Sequence, residues 1–99
     1  LNGKLVIDYD KHRVYVEEQD AGLTQNEFRL LSLLGKYAGK VLTYDYMMKE
    51  IWGPNMKGDN RILRVNMANI RRKIEKNPGQ PQFIFTEVGV GYRIIETDS

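Results

Sequence analysis

The chain contains no cysteine, only one histidine, three prolines and no long hydrophobic run. The lack of cysteine removes disulfides, thiolate nucleophiles and cysteine-based zinc sites. His12 stands alone in a polar turn, so neither a metal set nor a catalytic dyad is expected. No stretch approaches the roughly 20 apolar residues of a membrane-spanning helix. No charged-then-apolar leader opens the chain, so a cytoplasmic location without membrane attachment is expected. Gly89-Val90-Gly91 lacks the strand, glycine loop and helix of a nucleotide site and reads as a hairpin turn. The adjacent Glu17 and Glu18 would point to opposite faces of a strand and form no carboxylate pair there. The expectation is a protein that is not an enzyme and needs no cofactor or metal.

What the chain does have is a concentration of positive charge. Its 99 residues suffice for one domain with one core, spanning 1–99. The net charge is only +2, yet residues 61–76 hold six cations against Glu75 while both ends of the chain are net acidic. A charge gathered on one element is a directional signal. In that stretch Leu63, Met67, Ile70 and Ile74 recur at helical spacing, so one face is apolar and can dock on a core. The opposite face presents Arg61, Arg64, Val65, Ala68, Asn69 and Arg72. Such a face combines phosphate-seeking cations with short groups able to touch base edges, and a helix of this kind fits the major groove of duplex DNA.

The remaining elements follow in order. Lys4 to Asp8 and Arg13 to Glu17 alternate apolar with polar and predict two antiparallel strands. Asp20-Ala21-Gly22 is a further turn. Thr24-Gln25-Asn26-Glu27 is a capping box that opens a helix over about 25–37 with a stripe of Phe28, Leu31, Leu34 and Ala38; Gly39 fits its C-terminal end. Thr43 caps a second helix running to about Trp52 and burying Met47, Met48 and Ile51. Asp59 or Asn60 caps the basic helix, placed at about 60–76, which ends before Asn77-Pro78-Gly79. Phe83 to Glu87 and Tyr92 to Glu96 are strand-like runs joined by a turn whose glycines suit positive φ. Residues 1–3 lack pattern and are expected to be a linker remnant.

Strands, three helices with the last one basic, and a glycine-turned hairpin describe an α+β winged helix-turn-helix with an N-terminal antiparallel sheet. The motifs Leu23-Thr24 with Glu27-Phe28 and Leu30-Leu31, Gly39-Lys40-Val41-Leu42-Thr43, Ile51-Trp52-Gly53, Arg71-Arg72-Lys73-Ile74 and Gly89-Val90-Gly91-Tyr92-Arg93 stand in that order. In these residues the chain closely resembles the DNA-binding effector domains of OmpR/PhoB-family bacterial two-component response regulators. Trp52-Gly53-Pro54 and Asn77-Pro78, with the Gly89 to Arg93 run, are most similar to regulators of potassium-uptake operons.

The resemblance implies a four-stranded N-terminal sheet, a receiver domain ahead of this chain, and control of transcription. It further implies binding to tandem direct-repeat half-sites in double-stranded DNA as a homodimer driven mainly by the receiver, and RNA polymerase contact through loop 53–59. Arg61, Arg64, Val65 and Asn69 are the candidates for base edges, and the resemblance adds Asn66. Arg71, Arg72, Lys73 and Lys76 are candidates for phosphates, which position without specifying. By resemblance Trp52, Thr86 and Tyr92 join them, although Trp52 is equally a packing residue and Tyr92 equally a core tyrosine. Val88 and Gly89 form the wing turn, expected on the backbone or minor groove. Val88 stands where some relatives carry an arginine suited to a narrow minor groove. The alternative reading is a winged-helix protein-interaction module without sequence-specific DNA reading.

Overall fold

The computed structural model describes residues 4–55 and 59–96. Strand β1 (Leu5–Asp8) pairs antiparallel with β2 (Arg13–Val16), whose other edge takes β3 (Gln19–Asp20). Three helices follow: α1 (Gln25–Lys36), α2 (Tyr44–Trp52) and α3 (Arg61–Ile74). Between the first two lies β4 (Leu42–Thr43), and after α3 come β5 (Ile84–Glu87) and β6 (Gly91–Ile94), forming a second antiparallel sheet in the order β4-β6-β5.

Three details of the strands depart from the sequence reading. The N-terminal sheet has three strands among the described residues, where the resemblance implied four. Gly22 turns left-handed at φ 72° and Thr24 already caps α1, which leaves no length for another strand. Glu17 and Glu18 are not in a strand: both have positive φ, 49° and 72°, and they form the two-residue turn between β2 and β3. That handedness matches the twist of a tight hairpin, at a steric cost for residues with a Cβ. Finally, β4 falls where the sequence reading places no strand; two residues carry no alternation, and only pairing with β6 reveals them as a strand.

The helices form where their caps and stripes place them. The Thr24 amide donates to Glu27 Oε1 at 2.9 Å and Thr24 Oγ1 accepts from the Glu27 amide at 3.2 Å, completing the capping box. Helix α1 buries Phe28, Leu30, Leu31 and Leu34, Leu30 lying just outside the stripe read from sequence. Gly39, beyond the helix end at Tyr37, has φ 88° and donates its amide to Ile94 O, handing the chain to the second sheet. Thr43 Oγ1 accepts from the Tyr46 amide at 3.1 Å to start α2, which buries Met47, Met48 and Ile51. At α3 Asn60 occupies the cap position without capping the helix amides through its side chain, and Asp59 before it accepts the Arg61 amide at 3.0 Å. Leu63, Met67, Ile70 and Ile74 are buried against α1, as the periodicity predicts.

Glu27 does more than cap. Lys73 Nζ on α3 donates to the same Oε1 at 2.7 Å and to Gly22 O at 3.2 Å, so one buried carboxylate ties the start of α1 to the end of α3. Burial pushes the Glu27 pKa up, but the Lys73 hydrogen bond, the Thr24 amide and the ammonium charge together outweigh it and leave the pKa lowered. A lowered folded pKa stabilises above the ordinary glutamate value of about 4.3 and loses that contribution as pH falls through the folded value. Glu27→Gln is therefore expected to lower the thermal midpoint at neutral pH and to flatten the acid limb of the stability profile below about pH 4.5. Thermal melts across pH check this; an acid limb identical to wild type would contradict it.

Candidate nucleic-acid interface

Helix α3 lies with its apolar stripe inward, so the residues between the stripe positions turn out. Arg61, Arg64, Val65, Ala68 and Arg72 are exposed, while Asn66 and Asn69 are half-buried. Val65 is 59% exposed, and Ile62, which sequence reasoning left aside, is 40% exposed. Its signal was present: residue 62 lies off the stripe of 63, 67, 70 and 74, so its apolar side chain had no core to enter. The polar side chains are already ordered by their own helix. Arg64 Nε donates to Asn60 Oδ1 at 2.9 Å, Asn66 Nδ2 donates to Ile62 O at 2.8 Å, and Arg72 donates to Asn69 Oδ1. At the helix start the Arg61 guanidinium grips Asp59, with Nη2 to Oδ2 at 2.7 Å.

Arg71 ties the hairpin to α3. Arg71 Nη2 donates to Thr86 Oγ1 at 2.6 Å and to Ile84 O at 3.2 Å, both on β5. Its guanidinium carbon lies 5.4 Å from the centre of the Tyr92 ring, which meets Tyr44 edge-on. Three residues named separately as phosphate candidates, Arg71, Thr86 and Tyr92, thus form one cluster at the seam between helix and wing. The partners of Arg71 are neutral, so its charge is not cancelled. Tyr92 is only 4% exposed and burial raises its hydroxyl pKa, so the packing alternative describes where it sits: beneath Arg71, within the core.

Lys73, a candidate for phosphate, has its ammonium turned to Glu27 Oε1 at 2.7 Å. Lys76 is exposed. Trp52 is half-buried and packs against the core at the end of α2. At the wing tip Val88 is 89% exposed and Gly89 has φ 78°, a conformation that favours glycine. The centre of loop 53–59 and the expected linker at 1–3 lie outside the described residues.

Two functional residues escaped the sequence reading. Glu75, just past the end of α3, is 6% exposed and accepts the backbone amides of Gln82, Phe83 and Ile84. It holds the start of the wing against the end of the helix. Asp59 was read only as a cap. Among the described residues no group of three or more histidine or acidic side chains is placed to hold a metal.

Comparison with known proteins agrees with this geometry. The family model described as "Transcriptional regulatory protein, C terminal" matches residues 18–94. The chain is 37% identical over 91 residues to the KDP operon transcriptional regulatory protein KdpE of Escherichia coli (strain K12), covering 92% of this chain and 40% of that protein. Its structure superimposes on the response regulator DrrB of Thermotoga maritima, described as an OmpR/PhoB homolog, with a TM-score of 0.86 and 31% identity over 95% of this chain and 42% of that one. It superimposes equally well, TM-score 0.86 at 27% identity, on the Klebsiella pneumoniae RstA DNA-binding domain solved with its RstA box, over 94% of this chain and 92% of that one. The chain therefore spans about two fifths of the length of KdpE.

Proposed function

Because this chain belongs to the C-terminal domain family of transcriptional regulatory proteins, in its OmpR/PhoB branch, we propose that it binds duplex DNA sequence-specifically and controls transcription as the effector domain of a two-component response regulator. The observation that carries this is the orientation of α3: Leu63, Met67, Ile70 and Ile74 are buried, while Arg61, Arg64, Val65 and Arg72 are exposed on the outer face. Such a helix enters the major groove, where arginine pairs with guanine O6 and N7, asparagine with adenine, and an apolar group meets the thymine methyl. Arg61, Arg64, Val65, Asn66 and Asn69 read bases. Arg72, Lys76 and the Arg71–Thr86 seam anchor phosphates, with Trp52 at the rim and the wing turn at Val88 and Gly89 on the backbone or minor groove.

Two copies pair on tandem half-sites, RNA polymerase meets loop 53–59, and the protein acts in the cytoplasm on potassium-uptake genes. These further proposals are supported by the family resemblance and by similarity to KdpE. No helix among the described residues is long and apolar enough to cross a membrane.

Selection from a random duplex library at near-physiological salt tests the reading. Enrichment of a short motif supports it, and failure to retain any duplex as salt is lowered refutes it in favour of a protein-interaction module, whose binding would depend little on salt. Arg72→Ala is expected to weaken binding to every sequence and to reduce the salt slope by about one. Asn69→Ala is instead expected to relax preference at a single base, by ~1–3 kcal/mol of discrimination. Titrations of matched and mismatched duplexes at several salt concentrations separate the two; equal weakening of all sequences by both would undo the division into readers and anchors.

A further inference from the structure

The geometry points to Asp59 as the positioning residue that aims Arg61 at a guanine. This rests on the proposed reading of α3 as the helix that enters the major groove. Asp59 is anchored first: its Oδ1 accepts the Arg61 backbone amide at 3.0 Å, fixing the carboxylate on the first turn of α3. The same carboxylate then takes one edge of the Arg61 guanidinium, with Nε 3.1 Å from both oxygens and Nη2 2.7 Å from Oδ2. A guanidinium offers five N–H donors in a planar fork. With the Nε–Nη2 edge engaged, the opposite edge, formed by Nη1 and the second Nη2 hydrogen, remains open. That edge matches the paired acceptors O6 and N7 of guanine. Both side chains are well exposed, at 79% for Arg61 and 59% for Asp59.

The pairing also decides what kind of contact Arg61 makes. Asp59 cancels its charge and repels phosphate, so the pair releases few counterions and contributes little to non-specific attraction. What it keeps is a planar donor edge held in one orientation. The hydrogen bonds from Arg61 hold the Asp59 pKa at about 2, so the carboxylate is ionised at neutral pH. Arg61 is thereby assigned to base reading, in contrast to Arg71, Arg72 and Lys76, which carry no paired anion among the described residues.

The test is library selection, with affinity measured at several salt concentrations, on the domain and its Asp59→Ala, Asp59→Asn, Arg61→Ala and double Asp59→Ala/Arg61→Ala variants. Asp59→Asn retains an oxygen for the helix amide and so serves where Asp59→Ala folds poorly. Arg61→Ala is expected to erase guanine preference at one base position by about tenfold. Asp59→Ala is expected to reduce preference at that same position by at least about fivefold, while binding random duplex more tightly with a salt slope steeper by about one. The double variant is expected to lose nothing beyond Arg61→Ala. A role confined to capping would lower the melting temperature and leave base preference untouched, and that result overturns the inference, as does loss at a position other than Arg61's. If the wild-type domain selects a motif and the Asp59 variants select the same one, only this inference fails. If the wild-type domain retains no duplex, the proposed function fails with it.

Discussion

Gly91→Ala is expected to cost this domain about 3–5 kcal/mol, at the upper end for a single substitution and a large share of a total stability of order 5–15 kcal/mol. A Cβ at residue 91 would stand 1.8 Å from Leu42 O, 2.7 Å from Leu42 C and 2.9 Å from Thr43 Cα. All three are backbone atoms, so no side chain can swing aside. Strands β4 and β6 would have to part, losing the Leu42–Tyr92 and Thr43–Gly91 pairings, and Thr43 is also the cap of α2. Gly89→Ala is the control: no atom lies within 4 Å of its Cβ, and only the left-handed backbone at φ 78° opposes it, for roughly 1–2 kcal/mol. Urea unfolding of both variants measures the difference. Equal losses would mean that β4 shifts to admit the Cβ at little cost, and would overturn this account of Gly91.

Removing the Glu75 carboxylate is expected to have the next largest effect. Its oxygens accept the amides of Gln82, Phe83 and Ile84 at 2.7, 3.0 and 2.9 Å, and Glu75, Phe83 and Ile84 are buried. Each amide left unpaired costs ~1–3 kcal/mol less whatever water recovers, so Glu75→Ala should lose about 3 kcal/mol. Glu75→Gln should be little better, because its amide group would turn a donor toward donors. The damage should be local before it is global: hydrogen exchange at 82–84 is expected to accelerate well beyond that of the α1 core. Unchanged protection at those amides would show that the loop finds other partners.

These two residues also mark where the sequence was legible and where it was not. The stripe of Leu63, Met67, Ile70 and Ile74, the Thr24–Glu27 box, the Thr43 cap and the Val88 to Gly91 turn are local patterns, set by residues one to four apart, and they appear in the structure where they were read. What escaped depends on partners distant in sequence. Lys73 meets Glu27 across 46 residues and Arg71 meets Thr86 across 15, so both looked like free cations on a wet helix. The second glycine of the turn, read as a source of positive φ, is needed because β4 passes against it, and β4 is too short to announce itself. Glu75 did leave a trace. A lone anion at the C-terminal end of a helix opposes the helix dipole, which signals a specific partner elsewhere. The outward face of α3 was legible as a candidate, since core-facing periodicity fixes its complement, but the partition among its arginines follows from pairings such as Asp59 with Arg61.

Of the six cations that make residues 61–76 conspicuous, two are neutralised within the domain, Lys73 by Glu27 and Arg61 by Asp59. On the proposed reading, a single copy therefore meets a duplex with four of those six charges not offset by these two ion pairs. Joined to a second copy on an adjacent site, as proposed, the pair acts through effective concentration, and the two modest grips multiply. Occupancy of the paired sites then rises more steeply than the amount of protein does, and output is governed by valency.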